Sequence, residues 1–381
     1  MATSAKLDQN ARVVVRYGLY PLSWAAILTG TYQIWTTEAD PRKIASIVTG
    51  SLLALYFLIE FALPYEKRWA MTWRSFLSDL KYIAVNGATG VLLTIGLGVF
   101  AITISGELSG PARQWHPAIQ LLVCLLVYEA IYYSMHRAMH ESQGRFGEFL
   151  WRTHAAHHLP PRLYLVMHGV FHPLNSILVR VIAMILPIWL LGFEPKVVAM
   201  FAMISGVHGS ISHFNVDIRA GWMNYLFIGT ELHRYHHSAD VSEGGNYGSV
   251  LAIYDVIFGT HVYRPGIPPK ELGVRAEQGL PPYESALKVM MMPFVRSPAL
   301  LREKIRVMHF GRFSMGPVEP ANISNLVVRI PRLFLRRRTH RVRPEQHPQR
   351  HRRRHHILSQ QNNPQFRQMP QRKWPELSDW P

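Results

Sequence analysis

The chain has 381 residues, 48% of them hydrophobic and only 17% charged, a charge content too low for an ordinary soluble protein of this length. One cysteine excludes disulfides, iron–sulfur clusters and cysteine-type zinc sites. The formal net charge of +17 suggests nucleic acid as a partner, but residues 329–356 alone hold eleven arginines and one acid, so the charge is a local feature and no nucleic-acid partner is expected.

The apolar residues are concentrated in runs. Residues 17–35, 45–64, 82–104 and 117–135 each carry at most one charge and are long enough to cross roughly 30 Å of hydrocarbon, which predicts four transmembrane helices. The first run follows Lys6, Arg12 and Arg16 as a signal peptide would, but its length, its Trp and Tyr content and the lack of a small-x-small site make it the first anchor. Two shorter runs, 174–192 and 197–210, are separated only by Gly192-Phe193-Glu194-Pro195-Lys196 and read as a hairpin that spans or dips into the bilayer. Basic residues in short loops set the orientation. Lys6, Arg12 and Arg16 place the N-terminus in the cytoplasm, and Lys67, Arg68, Arg74 and Lys81 place the 65–81 loop there two crossings later. Two further crossings return the chain to the cytoplasm at residue 136 and leave His116 on the opposite side. Both termini are expected to be cytoplasmic.

Three tight histidine clusters follow: His136-x3-His140, His154-x2-His157-His158 and His233-x2-His236-His237. On a helix, positions i, i+3 and i+4 share a face, so each cluster can aim two or three imidazoles at one point. A lone HxxxH arises by chance, and surface helices carry HxxHH runs. Three clusters within about a hundred residues, two with the same spacing, point instead to a metal centre. Imidazole suits iron, zinc, copper and nickel and disfavours magnesium and calcium. Eight nitrogens exceed the roughly four that one zinc-like ion takes, so the count argues for two ions. Soluble di-iron bundles rely on carboxylates, which are not supplied here.

The third cluster reaches the cytoplasmic side with the first two if 174–210 leaves and returns. Beyond it, the arginine run and the Gln/Asn/Pro-rich end are expected to form a disordered tail at 326–381, attracted to anionic lipid headgroups. The five histidines at 340, 347, 351, 355 and 356 read as part of that polar run. Cys124 lies within an apolar run and reads as packing.

Residues 118–265 resemble the fatty acid hydroxylase superfamily, also called the sterol desaturase family, in its bacterial sterol-desaturase-like branch. The resemblance rests on the three histidine boxes, Glu129 seven residues before His136, Arg137 after it, His172-Pro173, His213-Phe214-Asn215, Asn246-Tyr247-Gly248, and Asp255 with Phe258-Gly259-Thr260. It implies an all-α polytopic membrane protein with four to six membrane helices and a cytosolic helical cap carrying a histidine-rich di-metal site. The expected layout is N-terminal membrane helices and a cytosolic loop at 1–116, the di-iron domain that the resemblance implies at 117–265, a C-terminal cytosolic segment at 266–325 and the tail. It further implies that His136, His140, His154, His157, His158, His233, His236 and His237 bind two irons, with His172 and His213 as additional ligands. His168 and His208 match the pattern less well and either support the ligands or are merely polar. Glu129 is either an interfacial acid paired with Arg137 or a hydrogen-bond partner of a ligand imidazole. Asn246, Tyr247 and Asp255 are expected to position the site or to hold the end of the domain together.

The chemistry that the resemblance implies is O2-dependent oxidation of a lipid C–H bond, by hydroxylation or desaturation, with electrons from an external donor such as a ferredoxin or a cytochrome-b-type carrier with its reductase. Arg137, Arg145, Arg152, Arg234 and the 65–81 loop would favour an acidic donor. Two other classes compete. A histidine-rich membrane metal transporter would need ionisable residues facing one another near mid-membrane, and the apolar runs offer almost none. A non-catalytic lipid-binding relative would be expected to have lost ligands, and every box here is complete.

Overall fold

The computed structural model describes residues 2–103 and 110–295, with side chains at 9–96 and 110–295. The arginine-rich run and the five tail histidines lie outside the described residues. Apart from two isolated bridges, Phe227–Leu251 and Ser238–Leu272, every regular element described is helical. In chain order these are α1 (Ala2–Thr36), α2 (Pro41–Ala62), α3 (Trp73–Thr103), α4 (Pro117–Glu141), α5 (Gly144–His158), α6 (Pro173–Leu178), α7 (Leu186–Leu191), α8 (Pro195–Ser212), α9 (Thr230–His236), α10 (Ile253–Phe258) and α11 (Ala286–Met291), interspersed with short 3-10 turns.

Prolines at the first turn start α2, α4, α6 and α8, where a missing N–H costs nothing. Asp40 caps α2 through the Arg42 amide at 2.9 Å. α6 and α7 form one continuous rod through a π-helical turn at Val179–Ile185, just before Pro187, whose ring removes a backbone donor from the ladder. The rod ends at Gly192, held at φ 68°, where a Cβ would meet the Gly110 backbone nitrogen at 2.4 Å.

Three described helices are long and apolar enough to cross a membrane: Pro41–Ala62, Pro117–Glu141 and the Pro173–Leu191 rod. The first arm of the expected 174–210 hairpin therefore qualifies. The 17–35 run forms the second half of α1 but is not among the three, because Tyr, Thr, Ser and Gln dilute it. The 82–104 run lies mostly in α3, whose last side chains lie outside the described residues.

α8 is the central helix and is buried on nearly every side. Met200, Phe201, Met203, Ile204 and Val207 pack on Ile27 and Ile34 of α1, Leu52 and Tyr56 of α2, and Cys124 and Tyr128 of α4. Between lipid-solvated helices apolar burial gains little, so packing and interhelical polar contacts do the joining. Tyr56 donates to Ser23 at 2.6 Å and Ser176 to Asn86 at 2.6 Å. A second core, with Trp69, Tyr82, Trp151, Tyr164, Met167 and Tyr283, lies beneath α5. There Tyr82 donates to the Tyr283 carbonyl, and buried Arg152 pairs with Glu148 at 2.8 Å and donates to the Met292 carbonyl at 2.7 Å, so residues 266–295 pack onto α3 and α5.

With α4 crossing the bilayer, single cysteines at 74, 145 and 242 in a Cys124→Ser background should react with an impermeant maleimide from one side of sealed vesicles. A cysteine at 113 should react only from the other side. Labelling of 113 and 145 from the same side would remove α4 as a span.

Candidate metal centre

α4 turns back into α5 at Ser142 and Gln143, which brings their ends together. His136 and His140 stand one turn apart at the end of α4, and His154, His157 and His158 occupy the end of α5. α9 supplies His233 and His236 and is capped by His237, while His213 caps α8. Among the described residues these imidazoles form two groups: His136, His140, His154, His158 and His236, and His157, His213, His233 and His237. Within each, the candidate ligand atoms lie within 4.8 Å of one another.

The split follows helix geometry. In α5, His154 and His158, at i and i+4, join the first group and His157 turns to the second. His233 and His237 join the second, and His236 crosses to the first. Each HxxHH motif therefore serves both groups. The groups also touch, with the His158 and His237 rings stacked at 4.4 Å between centroids.

Hydrogen bonds fix the tautomers. His157 Nδ1 donates to the Val170 carbonyl at 3.0 Å and His213 Nδ1 to the Gly209 carbonyl at 2.9 Å. A carbonyl only accepts, so both Nδ1 atoms carry the proton and both Nε2 atoms present lone pairs. Those Nε2 atoms are 2.9 Å apart. Neither has a hydrogen to donate, so the pair repels unless a cation shares its lone pairs. The first group repeats this arrangement. His136 Nδ1 donates to the Tyr247 carbonyl at 2.7 Å and His154 Nδ1 to Asn175 Oδ1 at 3.1 Å, while their Nε2 atoms face each other at 2.8 Å. His236 donates to the Gly245 carbonyl at 3.0 Å and leaves a buried Nε2 without a hydrogen-bond partner.

A proton is a poor candidate for the shared cation. Burial, reinforced by neighbouring imidazoles, holds His154, His157, His158, His213, His233 and His236 well below the usual histidine range. It lowers His237 to about 3. The donor set fits metal ions that accept several imidazoles, namely iron, zinc, copper or nickel.

Two buried carboxylates hold the loop that orients the first group. Asp255 accepts from the Tyr247 and Gly248 amides at 2.7 and 2.8 Å. Glu129 accepts from the next three amides, Ser249, Val250 and Leu251, at 2.5, 2.9 and 3.0 Å. Asn246, at φ 61°, donates to the Leu232 and Val262 carbonyls and thereby ties the loop to α9. Glu129 thus takes neither expected role: Arg137 pairs with Glu141 at 2.7 Å, and Glu129 acts on backbone rather than on an imidazole.

The structure does not bring His172 to either group. It caps α6, accepting from the Leu174 amide at 3.1 Å and donating to the Met290 carbonyl at 2.9 Å, so both nitrogens are engaged elsewhere. His168 Nδ1 lies 3.2 Å from His213 Nδ1, on the outer side of that ring. His208 bonds the Ile204 carbonyl and packs against Trp24 and Phe227, apart from both groups. Sequence reasoning missed Asn175, the partner of His154. It also missed Glu60, which accepts from the Leu165 amide at 3.0 Å and the Asn215 amide at 2.7 Å and so holds the segments bearing His168 and His213. Glu60 did leave a signal, as the one acid in an apolar run.

Comparisons with known proteins agree with this geometry. Residues 121–260 match the family described as fatty acid hydroxylase. Ornithine lipid hydroxylase OlsE of Rhizobium tropici is 29% identical over 266 residues, covering 67% of this chain and 78% of that protein. The very-long-chain aldehyde decarbonylase GL1-9 of Oryza sativa, in both subspecies indica and japonica, is 27% identical over 161 residues, covering 42% of this chain and 60% of that protein. No solved structure matches. The chain carries a fatty acid hydroxylase domain at residues 121–260, and its similarity to a bacterial lipid hydroxylase supports a place in the fatty acid hydroxylase/sterol desaturase superfamily. It is a membrane protein of an oxidoreductase family, with clustered histidines suited to metal.

Glu129→Ala strands three amides, at about 1–3 kcal/mol each, so it should cost about 3 kcal/mol or more in thermal unfolding of the detergent-solubilised protein. Arg137→Ala breaks an exposed pair and should cost under about 1 kcal/mol. Equal effects would contradict this account of the loop.

The histidines also set a pH dependence for protein purified with a chelator. Their folded-state values lie below the ordinary 6.5. Their contribution is therefore fully present above the unfolded value and is lost as the pH falls toward the folded ones. The melting temperature should drop progressively below about pH 6.5. A flat profile down to about pH 5 would mean that these rings titrate normally.

Proposed function

We propose that this protein is a membrane-bound, iron-dependent oxygenase that hydroxylates a C–H bond of a membrane lipid. In this reading His136, His140, His154, His158 and His236 hold one iron, and His157, His213, His233 and His237 the other. The observation that carries it is the pair of short Nε2–Nε2 contacts between rings whose Nδ1 atoms are already committed as donors. Bound iron would supply the reduction of dioxygen needed to oxidise an unactivated C–H bond, a task beyond side-chain acids and bases.

The chain's own residues preorganise that centre. The carbonyls of Val170, Gly209, Gly245 and Tyr247 each hold one imidazole in a single tautomer and orientation. Hydroxylation consumes the substrate C–H, one dioxygen, two electrons and two protons and yields an alcohol and water. The electrons would come from an external carrier of the ferredoxin or cytochrome-b type with its reductase. Similarity to a protein named as an ornithine lipid hydroxylase supports hydroxylation over desaturation and an amino-acid lipid as substrate. Residues 117–265 would be the catalytic unit, anchored by 1–116 and followed by a cytosolic segment at 266–325, with the centre and both termini in the cytoplasm. The basic tail would rest on anionic headgroups.

Anaerobically purified protein should contain about two irons per chain, with zinc as a partial substitute. His157→Ala and His236→Ala, one from each group, should each lower metal content while leaving membrane insertion intact. Lipid extracts of cells expressing the protein should gain a species about 16 mass units heavier than its precursor, absent with either variant. A doubly substituted protein with full iron and turnover would overturn the assignment, and a loss of two mass units would replace hydroxylation by desaturation.

A further inference from the structure

An apolar surface on the histidine side of the fold is explained neither by the two histidine groups nor by the long helices. On α10, Ile253, Val256, Ile257 and Phe258 are exposed, and on the neighbouring 3-10 turn (Gly221–Tyr225) so are Trp222 and Tyr225. Backbone bonds join the two segments: the Ile228 amide donates to the Val250 carbonyl at 2.8 Å and the Ala252 amide to the Leu226 carbonyl at 2.9 Å. The single acidic residue of α10 is Asp255, which is buried and turned onto the Tyr247 and Gly248 amides. A short helix that points its acid inward and its apolar side chains outward inverts the pattern of a water-facing helix.

Its depth is pinned by α4. Tyr254 donates to the Leu126 carbonyl at 3.0 Å, Tyr128 to Ser249 at 3.0 Å, and Phe258 stacks on Tyr133 with centroids 5.4 Å apart. Leu126 to Tyr133 lie three to ten residues before His136, which is about 5–15 Å deeper along the helix axis. Their helix is one of the three long and apolar enough to span a bilayer. The second segment reaches a similar environment, since the Phe227 ring packs on Trp24, inside the apolar run of α1, at 4.3 Å. At the edge, Tyr225 stacks on His261 at 5.2 Å, a pairing with an aromatic body and polar tips that suits the headgroup boundary.

We propose that α10 and the 221–226 turn form a platform immersed in the leaflet on the histidine side, and that the acyl chains of leaflet lipids cover it. The occupant follows from continuity: the platform extends the lipid-facing surface of α4 sideways and shows no exposed charge on α10. The loop leading into the platform also carries the Gly245 and Tyr247 carbonyls that orient His236 and His136. A lipid lying against α10 is thus a neighbour of the centre before any substrate leaves the bilayer. The inference rests on α4 spanning the membrane and not on the metal or the reaction, so it survives if the oxygenase reading fails.

The test uses the full chain with Cys124→Ser, in nanodiscs of phosphatidylcholine. Ile257→Cys carries an NBD label, and Lys270→Cys, at an exposed polar position, serves as the control. The label at 257 should emit at shorter wavelength and lose intensity when the lipids are brominated along their acyl chains, with little effect of aqueous iodide; the label at 270 should show the reverse. Quenching at 257 by iodide alone would overturn the proposal. So would a blue-shifted label insensitive to both quenchers, which would mean that protein, such as a second copy of the chain, covers the face. If Ile257→Cys fails to fold, Val256→Cys gives the same reading.

Discussion

Repulsion between buried imidazole lone pairs is the term against which the rest of the fold works. Pairs such as His157–His213 and His136–His154 bring two Nε2 atoms to 2.9 and 2.8 Å with no proton between them. Left in water, each ring would be solvated on both nitrogens; here burial removes the solvent and also disfavours protonation. Only a cation that accepts several imidazoles offsets that cost, so metal and fold are expected to stabilise each other.

Orienting so many rings requires carbonyls, and an α-helix has few to spare because its own ladder uses them. Three of the four carbonyl partners accordingly come from irregular backbone, Val170 before α6 and Gly245 and Tyr247 between α9 and α10, and the fourth, Gly209, from the last turn of α8. Irregular backbone beside a bilayer leaves its own amides to be satisfied. That is the physical reason for acids in an apolar setting. Glu129 and Asp255 together take five successive amides, Tyr247 through Leu251, and Glu60 takes those of Leu165 and Asn215. Gly248 has to be glycine for the same reason, since a Cβ there would meet the Leu251 carbonyl oxygen at 2.5 Å.

The loop that serves the histidines on one side carries the apolar surface of α10 on the other. In the proposed function, a centre assembled at the ends of α4, α5 and α9 would leave room for a lipid to approach from the leaflet and for a soluble partner to approach from the aqueous side. Arg219 and Arg234, which border the α9 region, are occupied structurally. Arg219 pairs with Asp217 and Glu231, and Arg234 donates to the Phe214 and Val216 carbonyls and stacks on Tyr65. A docking surface for the acidic donor of the proposed function would therefore have to be built from other basic side chains.

Helical periodicity and residue chemistry made much of this legible in the sequence. The i, i+3, i+4 spacing placed the HxxHH histidines on helices and named imidazole as the ligand type, because both depend on neighbours within a turn. The long apolar runs marked α2, α4 and the 173–191 rod for the same local reason. Which histidine belongs to which group was not local. His157 and His236 each join the group opposite the i, i+4 pair of their own motif, His154/His158 and His233/His237, because α5 and α9 face each other across both groups. His172 looked like a ligand in the sequence and became a helix cap, since the Met290 carbonyl and the Leu174 amide, distant and near in sequence, claim its two nitrogens. Glu129 was visible as an acid beside the first histidine box, yet its partners lie about 120 residues away in sequence. The chain's local chemistry determined the ligands available; only the tertiary structure, by bringing distant carbonyls and amides to them, decided which rings face a common point and with which nitrogen.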